Sequence, residues 1–148
     1  MKILAVNRKA RFEYELLERL VVGLALLGSE VKSVRQGRVS FGDGHVAFHD
    51  GEAYLVEVHI APYENAGYAG HDPLRRRKLL LHRRELARWR TKVTEKGLTL
   101  VPLAIGVEGN WIKVEIALAR GKKLHDKRET IKQRTLDRET MAELKGKR

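Results

Sequence analysis

The sequence predicts a mainly β domain with short helices, closed as a small antiparallel barrel and continued by a basic C-terminal tail. Three observations carry that prediction. HVAFHDGEAYLVEVHI, residues 45–60, holds two alternating runs around Asp50-Gly51, a two-residue hairpin signal. TLVPLAIGV and WIKVEIALA form a second pair of apolar runs around a turn at Glu108, Gly109 and Asn110. After Leu118 the larger apolar residues thin out to Leu124, Ile131, Leu136, Met141 and Leu144, too few and too irregular to bury a face worth its ordering entropy.

Taken in order, KILAVN reads as a short opening strand. RFEYELLERLVVGLALLG is ambiguous: Leu16, Leu17, Leu20, Val21 and Leu24 fit a helical face, whereas Val21, Val22 and Gly23 favour a strand, and periodicity alone leans to helix. Ser29 stands where an N-cap belongs, predicting a helix from about Glu30 to Gln36 that ends on a left-handed Gly37. Lys32 and Arg35 then share a face. In the first hairpin Tyr54, Val56, Val58 and Ile60 alternate with Ala53, Leu55, Glu57 and His59. RRELARWRTKVTEK places Leu86, Trp89 or Arg90, and Val93 at helical spacing and stops at Gly97. In the second hairpin Ile112, Val114, Ile116 and Leu118 share one face, leaving Trp111, Lys113 and Glu115 on the other. Hairpins of this number, with helices inserted between them, close most economically as an OB-like barrel, which removes exposed edges. The boundary falls near Arg120, giving a barrel over residues 1–119 and a tail over 120–148.

The chain of 148 residues carries a formal charge of +11. The tail alone holds 11 Lys+Arg against 5 Asp+Glu, so slightly more than half the excess sits in its last 29 residues. Each phosphate contact by Lys or Arg releases counterions and adds affinity, which makes a nucleic acid the leading partner. The absence of cysteine removes disulfides, thiolate metal sites and cysteine nucleophiles, and with no apolar N-terminal run it points to a reducing, cytoplasmic setting. No stretch approaches the ~18 apolar residues of a membrane span, so no membrane is expected.

Catalytic and metal chemistry find little support. His45 and His49 lie four apart on a predicted strand, roughly 13 Å at ~3.3 Å per residue, too far to share one zinc. No phosphate loop or nucleophile elbow is present, and Asp43, Asp50 and Asp72 read as turn formers. We therefore expect no enzyme activity, no metal and no cofactor. In HDPLRRRKLLLH, residues 71–82, four consecutive cations adjoin three leucines. Taken singly, Arg75, Arg76, Arg77, Lys78 and Lys113 read as a solvated edge. The aromatics Trp111, Tyr63 and Tyr68 among them shift the reading toward RNA or DNA, since aromatic faces interleaved with cations suit unstacked bases.

The segments Asn7-Arg8-Lys9-Ala10, GSEVKSVRQG, HDPLRRRKLLLH, TLVPL and ARGKKLHDKRE occur in an order, from residue 7 to about 134, that resembles the SmpB family, the tmRNA-binding (SsrA-binding) proteins of bacterial trans-translation. The resemblance implies an antiparallel OB-like barrel with flanking helices, in which the Tyr14 to Leu26 region is largely strand. It implies binding to the tRNA-like domain of tmRNA and delivery, with GTP-bound elongation factor Tu, to ribosomes stalled without a codon. The tail, disordered when free, would become helical in the empty mRNA channel and stand in for the missing anticodon stem and codon. Asn7, Leu80 and Lys113 match residues linked to tmRNA binding; Glu30, Lys32 and Arg35 belong to the element beside them, with Arg75, Arg76 and Lys78 adjoining. Gly121, Lys122, Lys123, His125, Asp126, Lys127 and Arg128 match the element expected at the small-subunit decoding centre. Val21-Val22-Gly23 replaces the family's usual Glu-Ala-Gly, which puts an acidic contact from position 21 in doubt. Nothing calls for more than a monomer.

Overall fold

The computed structural model describes residues 1–65, 67 and 70–122. The elements run β1 (Lys2–Val6), α1 (Arg8–Glu13), β2 (Tyr14–Leu24), α2 (Gly28–Arg35), β3 (Val39–Ser40), β4 (His45–His49), β5 (Glu52–Val56), β6 (His59–Ile60), β7 (Arg77–Leu80), α3 (Arg83–Lys96), β8 (Thr99–Glu108) and β9 (Trp111–Gly121). Seven strands form one antiparallel sheet in the order β1-β8-β9-β2-β7-β5-β4, and β3 pairs with β6. The sheet curls until β4, at one edge, packs against β8 near the other, which gives the OB-like barrel.

The ambiguous stretch is strand. β2 pairs with β9 from Tyr14 opposite Gly121 to Gly23 opposite Lys113, and with β7 at its end. Alternation turns Val22 and Leu24 into the core and leaves Leu17 and Val21 exposed, so the helical face that the spacing offers is split between two sides of a sheet. Tertiary pairing decides the matter, because a helix here would strip the partner from most of β9.

Both predicted hairpins form. Asp50 and Gly51 have φ of 48° and 77°, both left-handed, as a two-residue hairpin turn demands. In the second hairpin Ile112, Val114, Ile116 and Leu118 are all buried. The first hairpin departs from simple alternation: Ala53 and Leu55 point inward, but so do Val58 and Ile60. Glu57, at φ 59°, lies between them, and one left-handed residue rotates the chain so that the inward face changes parity.

Helix α3 spans the expected segment with Trp89 buried and a left-handed Gly97 at its end. Helix α2 starts two residues earlier than Ser29 would set it. Leu27 is the N-cap residue, and Glu30, three residues on, accepts the Leu27 N–H at 2.8 Å. Ser29 lies inside the helix, and its hydroxyl bonds the ring of His71 instead. Pro102 interrupts the β8–β9 ladder at a register shift between Pro102 and Ala104, where a missing N–H does least harm. β9 carries the barrel through Gly121, two residues past the expected boundary. Lys122 is held there by its N–H to the Glu13 carbonyl at 2.9 Å. The expected disorder of the tail concerns residues 123–148, which lie outside the described residues.

Candidate nucleic-acid interface

The motifs GSEVKSVRQG and HDPLRRRKLLLH meet in the interior. Glu30 on α2 and Arg77 at the start of β7 are both 0% exposed. Arg77 donates from Nε to Glu30 Oε2 at 2.5 Å, from Nη1 to the Val58 carbonyl at 2.6 Å and from Nη2 to the Pro73 carbonyl at 3.0 Å. Arg75 donates to the other Glu30 oxygen at 2.5 Å. Burial pushes the Glu30 carboxyl up, but hydrogen bonds from Arg75, the Leu27 amide and Arg77 outweigh it and hold the group below its ordinary value. Burial pulls Arg77 down against the pull of Glu30, and so basic a group stays charged regardless. His71 completes the join: one ring nitrogen faces the Ile60 carbonyl at 3.0 Å and therefore carries hydrogen, while the other meets the Ser29 hydroxyl at 2.7 Å.

This geometry divides the cation block. Arg77 and Leu79 face inward, whereas Arg76, Lys78 and Leu80 face out, following the period of a strand. Arg75 is tied to Glu30, Arg76 lies 5.2 Å from the ring centroid of Tyr54, and Lys78 pairs with Glu52 at 3.7 Å. Glu30, expected in the element beside the RNA surface, lies in the interior with its carboxylate held by Arg75 and Arg77. Lys32 and Arg35 are exposed on α2 and make no ion pair among the described residues.

Leu80 and Lys113 come together across the sheet. The registers pair Leu80 with Gly23, Gly23 with Lys113, Lys113 with Gly106 and Gly106 with Ile3, so one row crosses β7, β2, β9, β8 and β1. Directly paired residues of antiparallel strands share a face, here the outer one. Gly23 lets Leu80 fold close: a Cβ at position 23 would sit 3.1 Å from Leu80 Cδ1. Leu80 remains 49% exposed, and Lys113 holds Glu108 at 3.0 Å. That contact keeps the Glu108 carboxyl below its usual value, through the hydrogen bond first and the ammonium charge second. Val21 lies on the same face opposite Glu115, so an acid stands across the ladder from the position where the family usual is missing.

Asn7 does not join this row. It is buried at the head of α1, where its side chain accepts the Ala10 N–H at 3.3 Å and donates to the Pro102 carbonyl at 2.8 Å. It lines a small cavity of about 70 Å³ with Lys9, Tyr14, Asp43 and Gly44. Gly121 ends β9, and the Lys122 ammonium donates to the Arg11 carbonyl at 2.9 Å. Lys123, His125, Asp126, Lys127 and Arg128 lie outside the described residues, as does Tyr68. Sequence reasoning missed the Glu30–Arg77 and Ser29–His71 joins. Strand parity carried the signal for the first, since Arg77 is in phase with Leu79; contacts between segments 42 residues apart left no signal for the second.

Comparison with known proteins agrees with this architecture. The family model described as SmpB protein matches residues 4–146. The SsrA-binding protein of Solidesulfovibrio magneticus is 59% identical over 143 residues, covering 97% of this chain and 93% of that protein. That of Oleidesulfovibrio alaskensis is 56% identical, covering 96% and 92%. A chain from a solved structure described as "tmRNA-SmpB: a journey to the center of the bacterial ribosome" superposes with a TM-score of 0.68 at 53% identity, over 80% of this chain and 84% of that one. The chain belongs to the SmpB family.

Proposed function

We propose that the chain binds the tRNA-like domain of tmRNA and brings it to stalled ribosomes for trans-translation. The observation that carries the reading is the row from Leu80 through Gly23 to Lys113, which assembles, from three strands distant in sequence, two positions that match tmRNA-linked residues of the family. Its exposed apolar and cationic groups suit an RNA backbone and a few base contacts, with Lys78 on β7 and Arg76 just before it adjoining. Lys32, Arg35 and Arg75 supply a second cationic margin along α2.

The tail, from Lys122 through Lys123, His125, Asp126, Lys127 and Arg128, reads the vacant decoding centre and mRNA channel of the small subunit. Elongation factor Tu with GTP joins through the shared tmRNA, and the protein works as a cytoplasmic monomer without covalent chemistry of its own. Among the described residues no helix is long and apolar enough to cross a membrane.

The test is truncation after Lys122, which keeps every described strand. The truncated protein should hold tmRNA within about threefold of the full chain at fixed salt, while tagging of stalled peptides is abolished. Equal loss of both refutes the division of labour, and equal affinity for unrelated single-stranded RNA points instead to a general RNA chaperone.

A further inference from the structure

Trp111 is 69% exposed, more than any other large apolar side chain of the described residues. Leaving most of an indole in water forfeits the burial that usually retains tryptophan in a fold, so its position calls for a ligand. Its surroundings define which kind. Trp111 lies two residues from Lys113 on the outer face of β9 and directly opposite Glu108. The β2–β9 ladder ends at Gly23 and Lys113, so no cross-strand side chain of β2 covers the indole. Glycines flank Lys113 on both neighbouring strands, where Leu80 packs over Gly23 and Met1 with the Lys2 backbone packs over Gly106. Lys113 stands on the same face, already paired to Glu108, and Glu115 is the next carboxylate along that face.

We propose that Trp111 is a stacking platform for one unpaired nucleobase of the bound RNA, with Lys113 taking the adjoining phosphate. A flat, open aromatic face beside a lysine fits a base and its phosphate, because every base offers a π-face and the sugar-phosphate chain continues past it. The Leu80–Gly23–Lys113 row then grips the folded RNA, and Trp111 extends that grip past the end of the β2 ladder to an unstacked nucleotide. This inference rests on the RNA-binding reading above.

The chain contains two tryptophans, and the other, Trp89, is 3% exposed, packed from α3 into the core. Emission therefore separates the two without labelling. In the full chain, saturation with the tRNA-like domain of tmRNA should quench Trp111, and the response should vanish in Trp111→Phe, whose remaining Trp89 also reports that the fold is intact. Trp111→Ala should bind about tenfold more weakly at constant salt, the loss typical of one stacked base. Trp111→Phe, which keeps an aromatic face, should stay within about threefold of the parent. Emission unperturbed at saturation, or wild-type affinity in Trp111→Ala, overturns the platform while leaving the RNA-binding reading standing. Failure of the full chain to bind the RNA overturns both.

Discussion

Strand β7 presents the same residue types to opposite environments. Arg77 is sealed inside against Glu30, while Arg76 and Lys78, one residue either side, stand at the surface over Tyr54 and beside Glu52. A charge without water depends on its partner, and a charge in water does not. The inner and outer faces of one strand therefore fail differently when altered: the first in folding, the second in binding. The motif HDPLRRRKLLLH satisfies both needs because a strand sends alternate side chains to opposite sides.

The largest effect should come from breaking the inner pair. Glu30→Gln keeps the volume but leaves Arg77 without its counter-charge, and removal of one member of a buried pair costs about 3–5 kcal/mol. Against a total of roughly 5–15 kcal/mol for a typical domain, that is a severe loss, readable as a lower denaturation midpoint. The pH dependence follows from the same carboxylate. Its folded value lies below its unfolded one, so its stabilisation is fully present above the unfolded value, near pH ~4.3, and is lost as pH falls through the folded value. Glu30→Gln should accordingly lose less stability on acidification than the parent. Parallel acid limbs for the two proteins would show that the pair does not act as described.

The outer face should respond in the opposite sense. Arg76→Ala combined with Lys78→Ala should leave the denaturation midpoint nearly unchanged, since both side chains are exposed. The slope of log affinity against log salt should flatten by ~1 to 2 if both touch phosphate. An unaltered slope with unaltered affinity would assign the pair to solvent and remove β7's outer face from the interface.

How much of this was legible depends on whether the information is local. Asp50-Gly51 and Gly97 act within a few residues, so the hairpin and the end of α3 could be read from their own neighbourhoods. The face of the second hairpin was equally plain, because Ile112 to Leu118 alternate without interruption. Residues 14–24 misled because leucines at helical spacing also satisfy a strand with a few exposed apolar positions, and only the partner strand β9 breaks the tie. The phase change at Glu57 was hidden for another reason: nothing in a glutamate announces a positive φ. At the candidate interface the family motifs named Leu80 and Lys113, but their shared row through Gly23 is a property of register, which no single segment contains. The same motifs named Glu30 without revealing that two arginines enclose it.

The smallest expected effect tests the ion pair that joins β8 and β9 on the outer face. Lys113 holds Glu108 in the free protein at 3.0 Å, and both are partly exposed. For Lys113 to take a phosphate it must exchange one anion for another, so Glu108 competes with the RNA. Glu108→Gln should then tighten tmRNA binding by about twofold at low salt, with the gain fading as salt screens the exposed pair. Weaker binding would mean instead that Glu108 positions the ammonium and that the pair persists in the complex. The inner pair behaves otherwise, since no solvent ion can replace Glu30, and that is why the same kind of substitution is expected to destabilise the fold at position 30 and only to retune binding at position 108.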